Sequence, residues 1–463
     1  MNRRDALKSA LAAGMLYSGG FVPSLSRIAN AMDFPAISNR VLVNLMLNGG
    51  PDMRHILPPA FDPNPNSFGY NYWRAKADAH RLSDQPSSWQ QAWDNEFFQV
   101  ADGGTTFGIH NTLGWLKNQW DAGNVAIVNN AVGGRTRDHA HCIDIVNQGD
   151  REFTPNQAYA SGWGGRLAAA AQGNVMALTR APTSFCFGPS ATGGFDNTRM
   201  IAASDMRDMT LFDGVTNDPM DDSTRISRGL KSYYAAKRQA LGNDAVFDRF
   251  LETERKLREF GEPIDARLET IPIPPAIEAM TQLGGLTNLD FGVQLRNLHD
   301  AFACFDILGM RVASIDYGGW DTHERQGGRI EPQMEDIFGL GKGLDVLYQH
   351  LPQDALDNMV LVIAGEFGRQ LRANGDSGTD HGEGNSVLVI GNSVNGGVYG
   401  EMFPDEEMSR LADPSPQIIG RTAMDHIFAG CCDWVEPNTG GTVFTGLATA
   451  ELETGVNLSG LFA

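Results

Sequence analysis

Five short aliphatic runs punctuate the chain: RVLVNLML at 40–47, NVAIVNNAV at 124–132, RVASIDYGG at 311–319, MVLVIAGEFG at 359–368 and SVLVIG at 386–391. Each is nearly continuous rather than alternating, which predicts strands covered on both faces. Between them the apolar spacing turns helical. Leu295, Leu298, Phe302, Phe305 and Leu308 form one stripe, and Ile337, Leu340, Leu344, Leu347 and Leu351 form another. Alternation of strand and helix predicts a three-layer α/β/α sandwich around a largely parallel sheet. A long charged segment at 223–260 reads as helical, within an insertion spanning about 196–285. One domain over 32–463 with that insertion is the simplest organisation.

Open α/β sheets collect ligands just beyond the carboxyl ends of their strands, so the residues that follow each run carry the functional reading. NGGPDMRH brings Asp52; GGRTRDHAH brings Thr136, Asp138, His139 and His141; DYGGWDTHERQ brings Asp316, Asp321 and His323; GEFGRQ brings Glu366 and Arg369. Ahead of the 386 run, GTDHGEGN brings Asp380 and His381 between glycines. Singly, each has an ordinary reading. Asp52 suits a turn, Asp138 suits a helix cap, and Glu366 at an apolar strand end needs a partner such as Arg369. His299, His350 and His426 lie on helices and read as structural. Together, carboxylates and imidazoles at strand ends suit a divalent cation, zinc or manganese first and calcium second. Two such ions about 4 Å apart would clamp a displacement at phosphorus.

Charge narrows the partners. A net charge of −20 over 463 residues argues against nucleic acid or an anionic membrane surface. The first residues carry paired Arg3 and Arg4, a small apolar stretch and the Ala29-x-Ala31 pattern. This predicts a twin-arginine-type signal peptide over 1–31, engagement of the twin-arginine translocase, and a periplasmic or secreted product. No later run is long enough to predict a stable membrane span. Cys142, Cys186, Cys304, Cys431 and Cys432 have no metal-finger spacing and read as buried small hydrophobes.

The order GGPD, GGWDTH, GEFGR, DHG after such a leader resembles the secreted bacterial proteins grouped as domain of unknown function 1501. That grouping is in turn similar to the alkaline phosphatase and sulfatase superfamily. The resemblance implies an alkaline-phosphatase-like fold with Asp52, Asp321, His323, Glu366 and His381 at a metal centre. Asp380 would orient His381 from behind. It also implies a nucleophile in the segment 136–139, with Thr136, Asp138 and His139 as candidates, and Arg369 stabilising charge on the transferring group. This chain departs from the pattern at Asp138, where relatives have Ser, and at Glu366 and Phe367, where they have Asp and a second ligand. It also lacks the C-x-P-x-R or S-x-P-x-R stretch of sulfatases. The expected function is an exported metal-dependent hydrolase of small-molecule or polymer-borne phosphate, sulfate or phosphonate esters. The alternative is a non-catalytic envelope or surface protein that keeps the fold, with or without a structural ion.

Overall fold

In this computed structural model the described residues are 34–149, 161–189, 195–209, 260–327, 332–446 and 456–463, with isolated positions between 229 and 236. The expected leader and most of the charged segment 223–260 lie outside them. In chain order the strands are β1 Val41–Asn48, β2 Phe97–Asp102, β3 Thr105–His110, β4 Val125–Val132, β5 Asn174–Ala177, β6 Gly188–Pro189 and β7 Phe195–Asp196. They continue as β8 Met200–Ala202, β9 Met310–Gly318, β10 Met359–Ala364, β11 Asn385–Ile390, β12 Gly397–Tyr399 and β13 Thr422–Ala423. All five predicted runs are strands of one sheet, ordered β12-β4-β11-β10-β1-β9-β5-β8, with β13 also against β4.

The sheet is mostly parallel. β10, β1, β9, β5 and β8 run together, and β4 pairs in parallel with β12 and β13; β11 runs antiparallel between β10 and β4. Continuous hydrophobicity has a direct reason. In β10, Met359, Leu361 and Ile363 point into one hydrophobic core, while Val360, Val362 and Ala364 point into the other. β1 divides the same way, Val43 and Leu45 on one face and Leu42 and Met46 on the other. Each buried Val, Leu, Ile or Met side chain contributes about 1.5–3 kcal/mol by leaving water, so a strand with two buried faces needs no polar positions.

The first core is closed by the helices Leu289–Ala303 and Pro332–His350, which bear most of the two predicted stripes, while Phe305 and Leu308 lie on a separate short helix, Phe305–Leu308, and Leu351 just past His350; Asn288 caps the first helix by accepting from Phe291 N. The second is closed by Trp163–Ala170 and Met424–Val435. All five cysteines are buried and free. The described start of the 196–285 segment is not helical: β8 adds an edge strand beside β5. Among the described residues, no helix is long and apolar enough to cross a membrane.

Candidate metal centre

The carboxyl ends of β4, β10, β1 and β9 and the amino end of β11 share one edge of the sheet, and the loops there converge. After β1 the chain turns through Gly49 and Gly50, at φ +121° and +69°. Their two amide groups form a cradle for the Glu366 carboxylate: Gly49 N lies 2.9 Å from Oε1, and Gly50 N lies 3.0 Å from Oε2. A side chain is barred at both positions. A Cβ on Gly50 would stand 2.5 Å from the Phe367 ring, and one on Gly49 would stand 2.3 Å from Asp321 N.

Glu366 is fully buried, and its Oε1 also accepts from His139 Nδ1 at 2.7 Å. His139 opens the helix His139–Gln148, which begins there because Asp138 caps it, its Oδ1 accepting from His141 N at 2.9 Å. His323 is held in the same manner, with Nδ1 3.1 Å from Asp380 Oδ1. His381 Nδ1 lies 3.0 Å from the Arg137 carbonyl oxygen. A neutral imidazole that donates through Nδ1 carries its lone pair on Nε2. All three Nε2 atoms therefore present lone pairs, and all three point at Asp321.

His323 Nε2 and His381 Nε2 lie 3.0 Å and 3.1 Å from Asp321 Oδ1, and 2.9 Å from each other. His139 Nε2 lies 3.3 Å from Asp321 Oδ2. The ligand atoms of His139, Asp321 and His381 all fall within 4.8 Å of one another. Burial opposes ionisation of Asp321, but the hydrogen bond and charge of Arg369 hold its pKa at about 2. Burial lowers the His381 pKa, helped by the Arg369 charge and opposed by Asp321. An ionised carboxylate thus faces a His381 ring that burial keeps short of protons. Three imidazoles and one carboxylate are a donor set for zinc or manganese; calcium prefers oxygen throughout.

The remaining candidates are placed around this cluster. Arg369 is a fully buried strut: Nε donates to Gly50 O at 2.7 Å, Nη1 to Thr379 O at 2.8 Å, and Nη2 to Gly49 O, to Trp320 O and to Asp321 Oδ1. Its donors are spent on the protein, behind Asp321. Segments 368–370 and 380–383 pair across, with Gln370 N donating to Asp380 O and Gly382 N to Gly368 O, which sets Arg369 opposite His381. Gly378 completes the loop because a Cβ there would lie 2.1 Å from the His323 backbone carbon. Thr136 Oγ1 lies 3.3 Å from Cys142 Sγ. Phe367 packs its ring against both His139 and His381.

Asp52 is engaged one step away. It caps the turn Met53–Ile56, forms a buried ion pair with Lys76, and accepts from Gln326 Nε2 at 2.9 Å. Burial opposes its ionisation, but the charge and hydrogen bond of Lys76, with the Gln326 hydrogen bond, lower its pKa overall. Nothing in FGYNYWRAK marks Lys76 for burial, and nothing local marks Gln326. His139 as a companion of the other histidines, and the Gly-Gly cradle for Glu366, are likewise long-range facts without a sequence period.

Beneath Asp52, His55 stacks on His80 with ring centroids 3.9 Å apart. Burial drives His55 to a pKa of about 3 and His110 to about 4, and puts His80 well below the ordinary imidazole value. These rings are neutral in the fold and take up protons only on unfolding once the pH is below about 6.5. Their contribution is complete above that pH and is lost as the pH falls toward the folded values. His55 and His110, at up to about 1.4 kcal/mol per pH unit each, give a loss on the order of 4 kcal/mol from pH 6.5 to 5. Urea midpoints should fall steeply over that interval; a flat profile would contradict neutral burial.

No curated protein and no solved structure matches the chain. Residues 307–408 match the model of the family described as Protein of unknown function (DUF1501), a stretch that carries Asp321, His323, Glu366, Arg369, Asp380 and His381.

Proposed function

We propose that the chain is an exported, metal-dependent hydrolase of phosphate or related esters on an alkaline-phosphatase-like fold. One observation carries the reading: three histidines, each fixed at Nδ1 by an acceptor, aim Nε2 at the ionised Asp321. Protein groups that merely share protons do not need three lone pairs directed at one anion. A divalent ion held by His139, His323, His381 and Asp321 would supply Lewis-acid polarisation of an ester oxygen.

The chain's own residues do the rest. Glu366, Asp380 and the Arg137 carbonyl fix the tautomer and direction of the three rings, the usual office of groups behind a metal ligand. Arg369 keeps Asp321 ionised and in place. With side-chain exposures of 46% for Asp321 and 41% for His323, the cluster is open to an ester on one side and walled by Phe367 on the other. Export rests on the Arg3-Arg4 leader and the Ala29-x-Ala31 pattern.

The second reading, a non-catalytic envelope protein with or without a structural ion, draws on the engagement of Asp138 as a cap and Thr136 with Cys142. Neither is directed at the cluster as a nucleophile. Protein taken from the periplasmic fraction decides between them. Its amino terminus is expected near Met32, with stoichiometric zinc or manganese and turnover of aryl phosphate mono- or diesters. Stoichiometric metal with no turnover of any phosphate, phosphonate or sulfate ester favours the second reading. No bound metal defeats the hydrolase reading.

A further inference from the structure

Gln326 is fully buried and ties together three of the loops around the cluster, those after β1 and β9 and the one before β11. Its Nε2 donates to Asp52 Oδ2 at 2.9 Å, in the loop after β1, and stands 3.2 Å from His55 Nδ1. Its Oε1 accepts from Thr379 Oγ1 at 2.6 Å, in the loop before β11. The same oxygen lies 3.1 Å from Thr322 Oγ1, in the loop after β9, a hydroxyl also 2.9 Å from Gln333 Oε1. Thr322 sits between Asp321 and His323; Thr379 precedes Asp380 and His381. The backbone ties the last two loops as well, through Gln326 N to Ser377 O at 2.7 Å and Thr379 N to Thr322 O at 3.1 Å. An uncharged amide can donate to a carboxylate at one end while its oxygen, with two lone pairs, accepts at the other.

We propose that Gln326 is the positioning residue of the metal centre: it clamps the Asp321–His323 loop to the Asp380–His381 loop and locks both to the anchored Asp52–Lys76 pair. The inference rests on the metal-centre reading. A clamp of this kind sets the spacing of His323 Nε2 and His381 Nε2 without touching either ring. Groups behind metal ligands change metal affinity by about 10–100-fold when removed.

The test uses the full exported protein and the variants Gln326→Leu, Thr379→Val and Thr379→Ser. Zinc affinity is read by chelator competition, and the cobalt-loaded forms by their visible spectra. Imidazole nitrogen shifts are read by NMR in metal-free protein. Gln326→Leu and Thr379→Val are expected to weaken zinc by about 10–100-fold, alter the cobalt bands, and release His323 and His381 from their single tautomers. Thr379→Ser, which keeps the hydroxyl, should behave as wild type. A drop in unfolding midpoint with zinc affinity, cobalt spectrum and ring shifts unchanged would make Gln326 a purely structural amide and overturn the proposal. So would equal behaviour of the Ser and Val variants. Should Gln326→Leu fail to fold, the Thr379 pair decides alone. Should wild type take neither zinc nor cobalt, the metal-centre reading fails, and the ring shifts of the metal-free variants still decide whether Gln326 couples the two loops.

Discussion

Asp321→Asn in zinc-loaded protein is expected to lower hydrolysis of an aryl phosphate ester by at least about 100-fold, with a comparable loss of zinc affinity. Asparagine keeps the shape and leaves one oxygen to accept from Arg369, which donates to Asp321 Oδ1 at 2.6 Å. What it removes is the negative charge on which His139, His323 and His381 converge. His381→Ala should cost about as much, and the double variant little more, because groups that act on one centre are not additive. Asp321, with its pKa near 2, stays ionised through the working range, so any acid limb above pH 4 must come from other groups. A metal-independent network of shared protons predicts a different outcome. In that case Asp321→Asn leaves bound zinc, measured per chain, where it was. Retention of both zinc and turnover would remove Asp321 from the centre.

The residues of this cluster were legible as a set but not in their roles. Carboxylates and imidazoles beside glycines at strand ends pointed to the edge of the sheet, because the apolar runs identified the strands and the parallel arrangement identified the edge. Which of them face inward depends on partners hundreds of residues away. Glu366, expected as a ligand, has its oxygens occupied by Gly49 N, Gly50 N and His139. Arg369, expected to face substrate, is buried among five acceptors. Both follow from the same local fact, that a charge at the end of a fully buried strand must find partners before water is excluded. Sequence alone shows that a partner is required; only the fold says which one. The antiparallel sense of β11 is a similar case. Its run reads like the parallel strands around it because it too is buried on both faces, and hydrophobicity carries no direction.

The largest stability effect is expected from Lys76→Met. Lys76 is fully buried and is ion-paired with Asp52, whose side chain is only 2% exposed. Methionine fills the space of the lysine stem but leaves a carboxylate with no cation beside it. Gln326 Nε2 at 2.9 Å and His55 N at 3.2 Å remain, and neither carries compensating charge. Breaking a buried pair from one side typically costs about 3–5 kcal/mol, much of it the penalty on the charge left behind. Against a usual total of about 5–15 kcal/mol, that is a large share. The double variant Asp52→Asn with Lys76→Met removes both charges and should recover most of the loss, since replacing a buried pair by uncharged groups is often nearly neutral. The pH dependence gives an independent check. Because the folded Asp52 pKa is lowered, its stabilisation is present above the unfolded carboxyl value near 4 and is lost as the pH falls through the folded value. Urea unfolding of metal-free protein at pH 7 reads all three forms. A single variant within about 1 kcal/mol of wild type, too small for a stranded buried charge, or a double variant no better than the single, would mean that Asp52 and Lys76 are not both ionised in the fold.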